Sequence, residues 1–249
     1  MVQHEVRLSA IPADLRDAFH EFVSATTKTA GANLLALVAY GGRCIGDPAY
    51  LDEPLDSLMV IHNEDLLMLE RLGESGLRFG RRGIAAPLVM TPAYIAASLD
   101  SFPLEMLEIQ QTGRLIFGQD FFDPLRFDHD DLRLQCEREL KATKLHLRQG
   151  LLQAAGSKSA IDEACRAAAK RTVRALRGWL HIAGHAACDQ LAATIITRSA
   201  LALRLDLPAL EQAVTLRRRL DSDGLAKLYA EIKRISDIVD QRAAGALET

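Results

Sequence analysis

The chain has few aromatic residues (5%, with a single tryptophan), eight prolines, four cysteines in 249 residues, and almost no net charge: 30 Lys and Arg against 33 Asp and Glu. Each shortage removes a class of protein. Cys44, Cys136, Cys165 and Cys188 lie far apart and form no Cys-x-x-Cys pair, a pattern of free thiols in a reducing compartment rather than of a disulfide framework. A net charge of −3 gives no global attraction to nucleic acid or to an anionic membrane, so any phosphate site has to be local. No uninterrupted apolar run approaches the roughly 18–20 residues of a membrane span. The opening MVQHEVRLSAIPADLRDAF lacks the basic and then apolar run of a signal peptide. The expectation is a cytoplasmic protein without membrane attachment.

What is present is an ordinary globular composition, 49% hydrophobic and 25% charged, in a chain long enough for one large domain or two small ones. The composition shifts near residue 128, which divides the chain into an expected α/β domain over 1–127 and a helical bundle over 128–249. In the first part, Pro12 to Asp14 opens a helical pattern with Leu15, Phe19, Phe22 and Val23 on one stripe. The runs LLALVAY (34–40) and DSLMVI (56–61) read as buried strands, and IAAPLVMT (84–91) as a third, with Pro87 placing it at an edge or a strand start. Asn63 is the expected cap of a helix through Leu66 to Leu72, and Thr91-Pro92 the start of a short one. LEMLEIQ (104–110) and RLIFG (114–118) could be two further strands joined by a Thr-Gly turn, although PLEMLEIQQ also fits a helix. Beyond residue 128 the period is helical, with a stripe of Leu132, Cys136, Leu140, Leu147 and Leu151. Helices are expected at about 159–171, 173–187, 189–205, 208–220 and 223–242, their Ala-rich faces suited to close packing.

Phosphoryl and nucleotidyl transfer ask little covalent chemistry of a protein; they need metal ions that neutralise phosphate charge. A glycine turn lets backbone amides approach a triphosphate, and two carboxylates at i and i+2 on the next strand can share Mg²⁺. The segment LVAYGGRCIGDPAYLDEPLDSLMVI resembles the signature of the nucleotidyltransferase superfamily, a strand closed by a glycine pair, a loop, and acidic residues entering an apolar strand. It is most similar to stand-alone bacterial members with a helical C-terminal half. TPAYIAASLDSFPLEMLEIQQTGRLIFGQDFFDPL and the helical DLRLQCERELKATKLHLRQG extend the likeness over roughly residues 30–150.

The resemblance implies a mixed sheet with flanking helices, a ligand cleft between the halves, and Mg²⁺ and a nucleoside triphosphate as ligands. It implies nucleotide contacts at Tyr40, Gly41, Gly42, Arg43 and Ser57. Aligned on the apolar LMVI, the carboxylate pair falls on Leu55 and Ser57, and the third carboxylate near Val89; none of these is acidic. The expectation is therefore a nucleotidyltransferase fold that has lost its metal ligands and binds a nucleotide or a protein partner without transfer. One alternative is an active Mg²⁺-dependent enzyme that uses displaced acids, Asp56, Asp52 and Glu105, on a small-molecule or protein hydroxyl. Another is an oligomeric scaffold with the bundle as docking module, which predicts a large apolar surface patch. Asp56 has the opposite strand parity to Leu55 and Ser57, so a bulge would be needed to turn it toward their face.

His181, His185 and Cys188, at i, i+4 and i+7, could supply three metal ligands from one helix, but a small-residue packing seam explains the same spacing. The basic clusters RFGRR (78–82) and TLRRRL (215–220) read as a turn that could meet a phosphate and as a solvated helix end. No cysteine has an activating base beside it in the sequence.

Overall fold

Leu15, Phe19, Phe22 and Val23 recur at helical spacing, and in the computed structural model all four are buried, the last three along one side of helix α1 (Arg16–Ala30) and Leu15 at its N-cap; the helix ends at Gly31. The structure describes residues 6–185, 190–215 and 220–245. Its contacts divide the chain into two units, residues 1–101 with 105–126, and residues 102–104 with 127–249.

In the first unit, β1 (Leu34–Tyr40) and β2 (Asp56–Ile61) pair antiparallel, with β3 (Leu88–Met90) parallel beside β2 and β4 (Arg114–Gly118) antiparallel beside β1. The order is β3-β2-β1-β4. The third strand is shorter than the apolar run suggests. Pro87 cannot donate to a ladder, so regular pairing starts after it, at the sheet edge, and only an isolated bridge joins Leu55 to Ile84. Side chains alternate along each strand. Leu37, Ala39, Leu55, Met59 and Ile61 therefore share a core with Phe19, Phe22 and Ile116, each large member contributing about 1.5–3 kcal/mol by leaving water.

Short helices link the strands: α2 (Gly41–Cys44) follows β1 directly, α3 (Leu66–Gly73) and α4 (Gly76–Gly80) join β2 to β3, and α5 (Pro92–Ala97) follows β3. The cap of α3 is Asp65, whose carboxylate accepts the Met68 amide at 3.0 Å; Asn63 instead pairs with Asn33. Thr91 caps α5 as its sequence suggests, accepting from the Tyr94 amide at 3.1 Å.

The expected strand over 104–110 is a helix, α6 (Pro103–Thr112). Proline at the first position fits a helix start, and Leu104, Met106, Leu107 and Ile109 are all buried. Burial on more than one side erases the period of two and the period of 3.6 alike, which is why the run misleads.

The second unit is helical: α7 (His129–Gln153), α8 (Lys158–Ile182), α9 (Ala192–Leu203), α10 (Pro208–Thr215) and α11 (Ser222–Gly245). The Asp128 carboxylate accepts from the amides of Asp130 and Asp131 and caps α7. The two helices expected over 159–187 are one continuous helix, α8, since nothing at Arg171–Val173 breaks the backbone and Thr172 bonds back to the Ala168 carbonyl. Small residues let α7 approach it. Gly150 leaves space for the Ala164 methyl, and the Cys136 thiol donates to the Ala175 carbonyl at 3.3 Å. No helix among the described residues is long and apolar enough to cross a membrane.

Near the C-terminal end of the unit, Glu231 on α11 is buried and accepts the amides of Ala209 and Leu210 at 3.0 and 2.8 Å, capping α10 from another helix. Burial holds its carboxyl above the usual carboxylate range, against the pull of those two amides. A folded-state value above the unfolded one means that the native state binds the proton more tightly, so this residue's share of stability is full at low pH and falls as pH rises through that value. Urea unfolding across the acidic range should show this slope in the wild type and lose it in Glu231→Gln. Glu231→Ala, which leaves two buried amides without an acceptor, should cost about 1–3 kcal/mol.

Candidate functional site

β1 ends in a sharp turn. Gly41 has φ +84°, a conformation that side chains resist, and it opens the single turn of α2. Its amide is already engaged, donating to the Thr112 hydroxyl at 2.9 Å, and that hydroxyl in turn donates to the Glu108 carbonyl. Gly42 is there for a different reason. A Cβ on it would lie 2.3 Å from Cδ2 of Tyr50, so the Tyr50 ring is seated directly on this glycine. The Asp47 carboxylate accepts the Ala49 amide at 2.9 Å and the Asp47 amide donates to the Gly42 carbonyl, which folds the loop back over the turn.

The register decides where the acids stand. Tyr40 pairs with Asp56 and Ala39 with Ser57. Leu55 and Ser57 thus lie on the face that packs into the core, 0% and 1% exposed, while Asp56 lies on the other face with an oxygen 3.4 Å from where a Cβ of Gly41 would be. No bulge is needed to bring Asp56 to the glycine turn; regular pairing does so. One ladder step further along that face, at i+2, stands Leu58, fully buried. On β3, Val89 pairs with Met59 on the core face, and the residues beside Leu58 and Val60 are Leu88 and Met90.

The other residues singled out from the sequence are placed as follows. Arg43 pairs with Asp14 and Arg82 with Glu21 at 2.7 Å, while Arg78 lies over the Phe79 ring at 4.6 Å. Asp52 is exposed in the turn before β2, and Glu105 is on the first turn of α6, half-buried. Among the described residues no three His, Cys, Asp or Glu side chains are grouped to hold a metal ion. On β2 the carboxylate beside the glycine turn is Asp56, and Leu58, two residues on along the same face, is not a ligand type.

In the second unit, His181 meets the Phe127 ring edge-on, and burial, with a smaller effect of His129, holds its imidazole below the ordinary histidine range. His185 is not on the same helical face, because α8 ends at Ile182 and the chain turns at Ala183-Gly184; Cys188 lies outside the described residues, as do Arg217 to Arg219. Burial pushes the thiols of Cys44 and Cys165 up to about 11 and that of Cys136 to about 12, which removes these three as nucleophiles.

Two contributors to the turn were not legible beforehand. Thr112 arrives from 71 residues away, and a Thr-Gly pair reads only as a turn. Arg114 of β4 pairs with Ala39 of β1, on the face opposite Asp56, at the strand end where β1 enters the glycine turn.

No protein-family model and no curated protein sequence matches the chain. Among solved structures it is similar to the spectinomycin adenyltransferase AAD(9) from Enterococcus faecialis, determined with ATP and spectinomycin. The two superpose with a TM-score of 0.51 at 10% identity, over 87% of this chain and 98% of that one. The chain thus has a nucleotidyltransferase-like fold, a mixed four-stranded sheet with flanking helices followed by a helical part.

The contact between Tyr50 and Gly42 can be tested directly. Gly42→Ala should destabilise the protein by about 1–3 kcal/mol through overpacking. The double variant Gly42→Ala/Tyr50→Ala should lose less than the sum of the two single changes in a thermal-unfolding cycle.

Proposed function

We propose that this chain is a nucleotidyltransferase-fold protein that binds a nucleotide without transferring it, serving as a sensor or regulatory partner. The observation that carries the reading is the composition of the face presented to the glycine turn, one carboxylate (Asp56) followed at i+2 by buried Leu58, with Leu88 and Met90 on the neighbouring strand. A shared metal needs convergent acids, and a triphosphate without one needs cations. Arg114 beside the turn is the group that would meet phosphate; Arg43 is committed to Asp14. That the similar adenyltransferase structure holds ATP supports a nucleotide as the ligand class. Fold alone does not carry activity.

The position of Asp56 favours a second reading, in which it is the surviving ligand of an active site completed by Asp52 and Glu105. Calorimetry with ATP, GTP, CTP and UTP, with and without Mg²⁺, separates the two. For the binding protein the dissociation constant should change by less than about threefold when Mg²⁺ is removed. Arg114→Ala should weaken binding more than Asp56→Ala does, and ATP with Mg²⁺ and spectinomycin should yield no adenylylated product by mass spectrometry. Binding that requires Mg²⁺ and vanishes in Asp56→Ala would overturn the proposal in favour of the enzyme.

A further inference from the structure

On the opposite face of β2 from Asp56, the first unit contains a partly enclosed cavity of about 270 Å³. Met59 and Val89, paired across β2 and β3, face it from the sheet; Phe22 comes from α1, Leu72 from α3 and Phe79 from α4. No charged residue lines it, and its polar side chains are the hydroxyls of Thr26 and Ser75. The segment that closes it is thinly packed. In α3 only Met68 is buried and in α4 only Phe79, while Leu66, Leu67 and Leu77 turn outward with exposures of 78%, 66% and 80%. Gly73 and Gly76, at the joint between these two helices, have no atom near the position a Cβ would take.

A void of this size is not a packing defect. Close-packed interiors tolerate few holes larger than a water, and an apolar cavity of about 150 Å³ already takes up benzene. The lining excludes a nucleotide, since nothing in it could neutralise a phosphate, and it excludes any other charged ligand for the same desolvation reason. The walls favour a flat ring over a flexible chain. Phe22 and Phe79 stand edge to face with centroids 5.4 Å apart, a pair that a third ring can extend, and the Met59 thioether suits a ring edge. We propose that this cavity is a binding site for an uncharged bicyclic aromatic molecule with at most one or two hydrogen-bonding groups, separate from the glycine turn. The site does not depend on the nucleotide reading, because the two lie on opposite faces of the sheet.

The test uses the full chain labelled with ¹³C-methyl methionine and titrated with indole as the probe. The Met59 methyl signal should shift saturably with a dissociation constant of about 0.1–1 mM, as a ligand of roughly nine heavy atoms allows, while Met90, on the other face of the sheet, stays in place. Ala25→Leu and Ala85→Leu, which each add bulk at the cavity wall, should weaken indole binding at least about tenfold. Far-UV circular dichroism and urea midpoints establish that each variant is folded. If both fail to fold, intermolecular nuclear Overhauser contacts from indole to the Met59 methyl and Phe79 ring of the wild type decide the matter. An unmoved Met59 signal at millimolar indole, or binding unaffected in both folded variants, overturns the site. Binding of 1-octanol about tenfold tighter than indole would overturn the assignment to a ring.

Discussion

The antiparallel pairing of Tyr40 with Asp56 fixes most of what the first unit can do. Because side chains alternate, that one pair assigns the residues from Ala36 to Tyr40 and from Asp56 to Val60 to a face. It sends Leu55, Ser57, Met59 and Ile61 toward α1 and leaves Asp56, Leu58 and Val60 on the other side. A slip of one residue would bury the Asp56 carboxylate among Phe19 and Phe22 and take Met59 out of that core. The core therefore enforces the register, and the register places the acid. Asp56 reaches the glycine turn as a consequence of hydrophobic patterning several residues away.

The same turn shows how glycines can persist for reasons internal to a fold. A glycine pair at a strand end permits a phosphate to approach the backbone, but it equally permits an aromatic ring to do so. Here the Tyr50 ring takes the space beside Gly42, Thr112 takes the Gly41 amide, and Asp14 takes the Arg43 guanidinium. The groups that resemble a phosphate cradle in one dimension are largely bonded to their own unit in three. Arg114 reaches the strand end beside the turn from β4, paired with Ala39, and its guanidinium donates to the adjacent Gly113 carbonyl.

How much of this could be read from the sequence follows from which interactions are local. The stripe of α1, the strands 34–40 and 56–61, the Thr91 cap and the edge position announced by Pro87 are short-range patterns, and they are found where the residues indicate. The 104–110 run admits both strand and helix because it is buried on several sides, which leaves no period to count; it is a helix. The division of α8 was misread because Arg171 to Val173 carry neither proline nor glycine, and a change of side-chain character does not end a helix. An alignment on the apolar run points to Leu55 and Ser57, whereas the ladder begins with Asp56, which the pairing with Tyr40 puts on the opposite face from them. Thr112 and Tyr50 lay beyond reading altogether, since their roles depend on contacts across 71 and 8 residues.

β2 is consequently a strand with two separate chemistries. Its outward face brings Asp56 to the glycine turn; its inward residues form the floor of an apolar cavity walled by phenylalanine. Asp56 and Met59 are three residues apart, yet the pleat points them in opposite directions. Both belong to one ladder, which runs without irregularity from Ala36 to Tyr40 and sets Met59 opposite Leu37 and Asp56 opposite Tyr40. Rigid pairing of that kind transmits displacement rather than absorbing it. One register thus fixes both features, the acid carried to the glycine turn on one face and the apolar floor on the other.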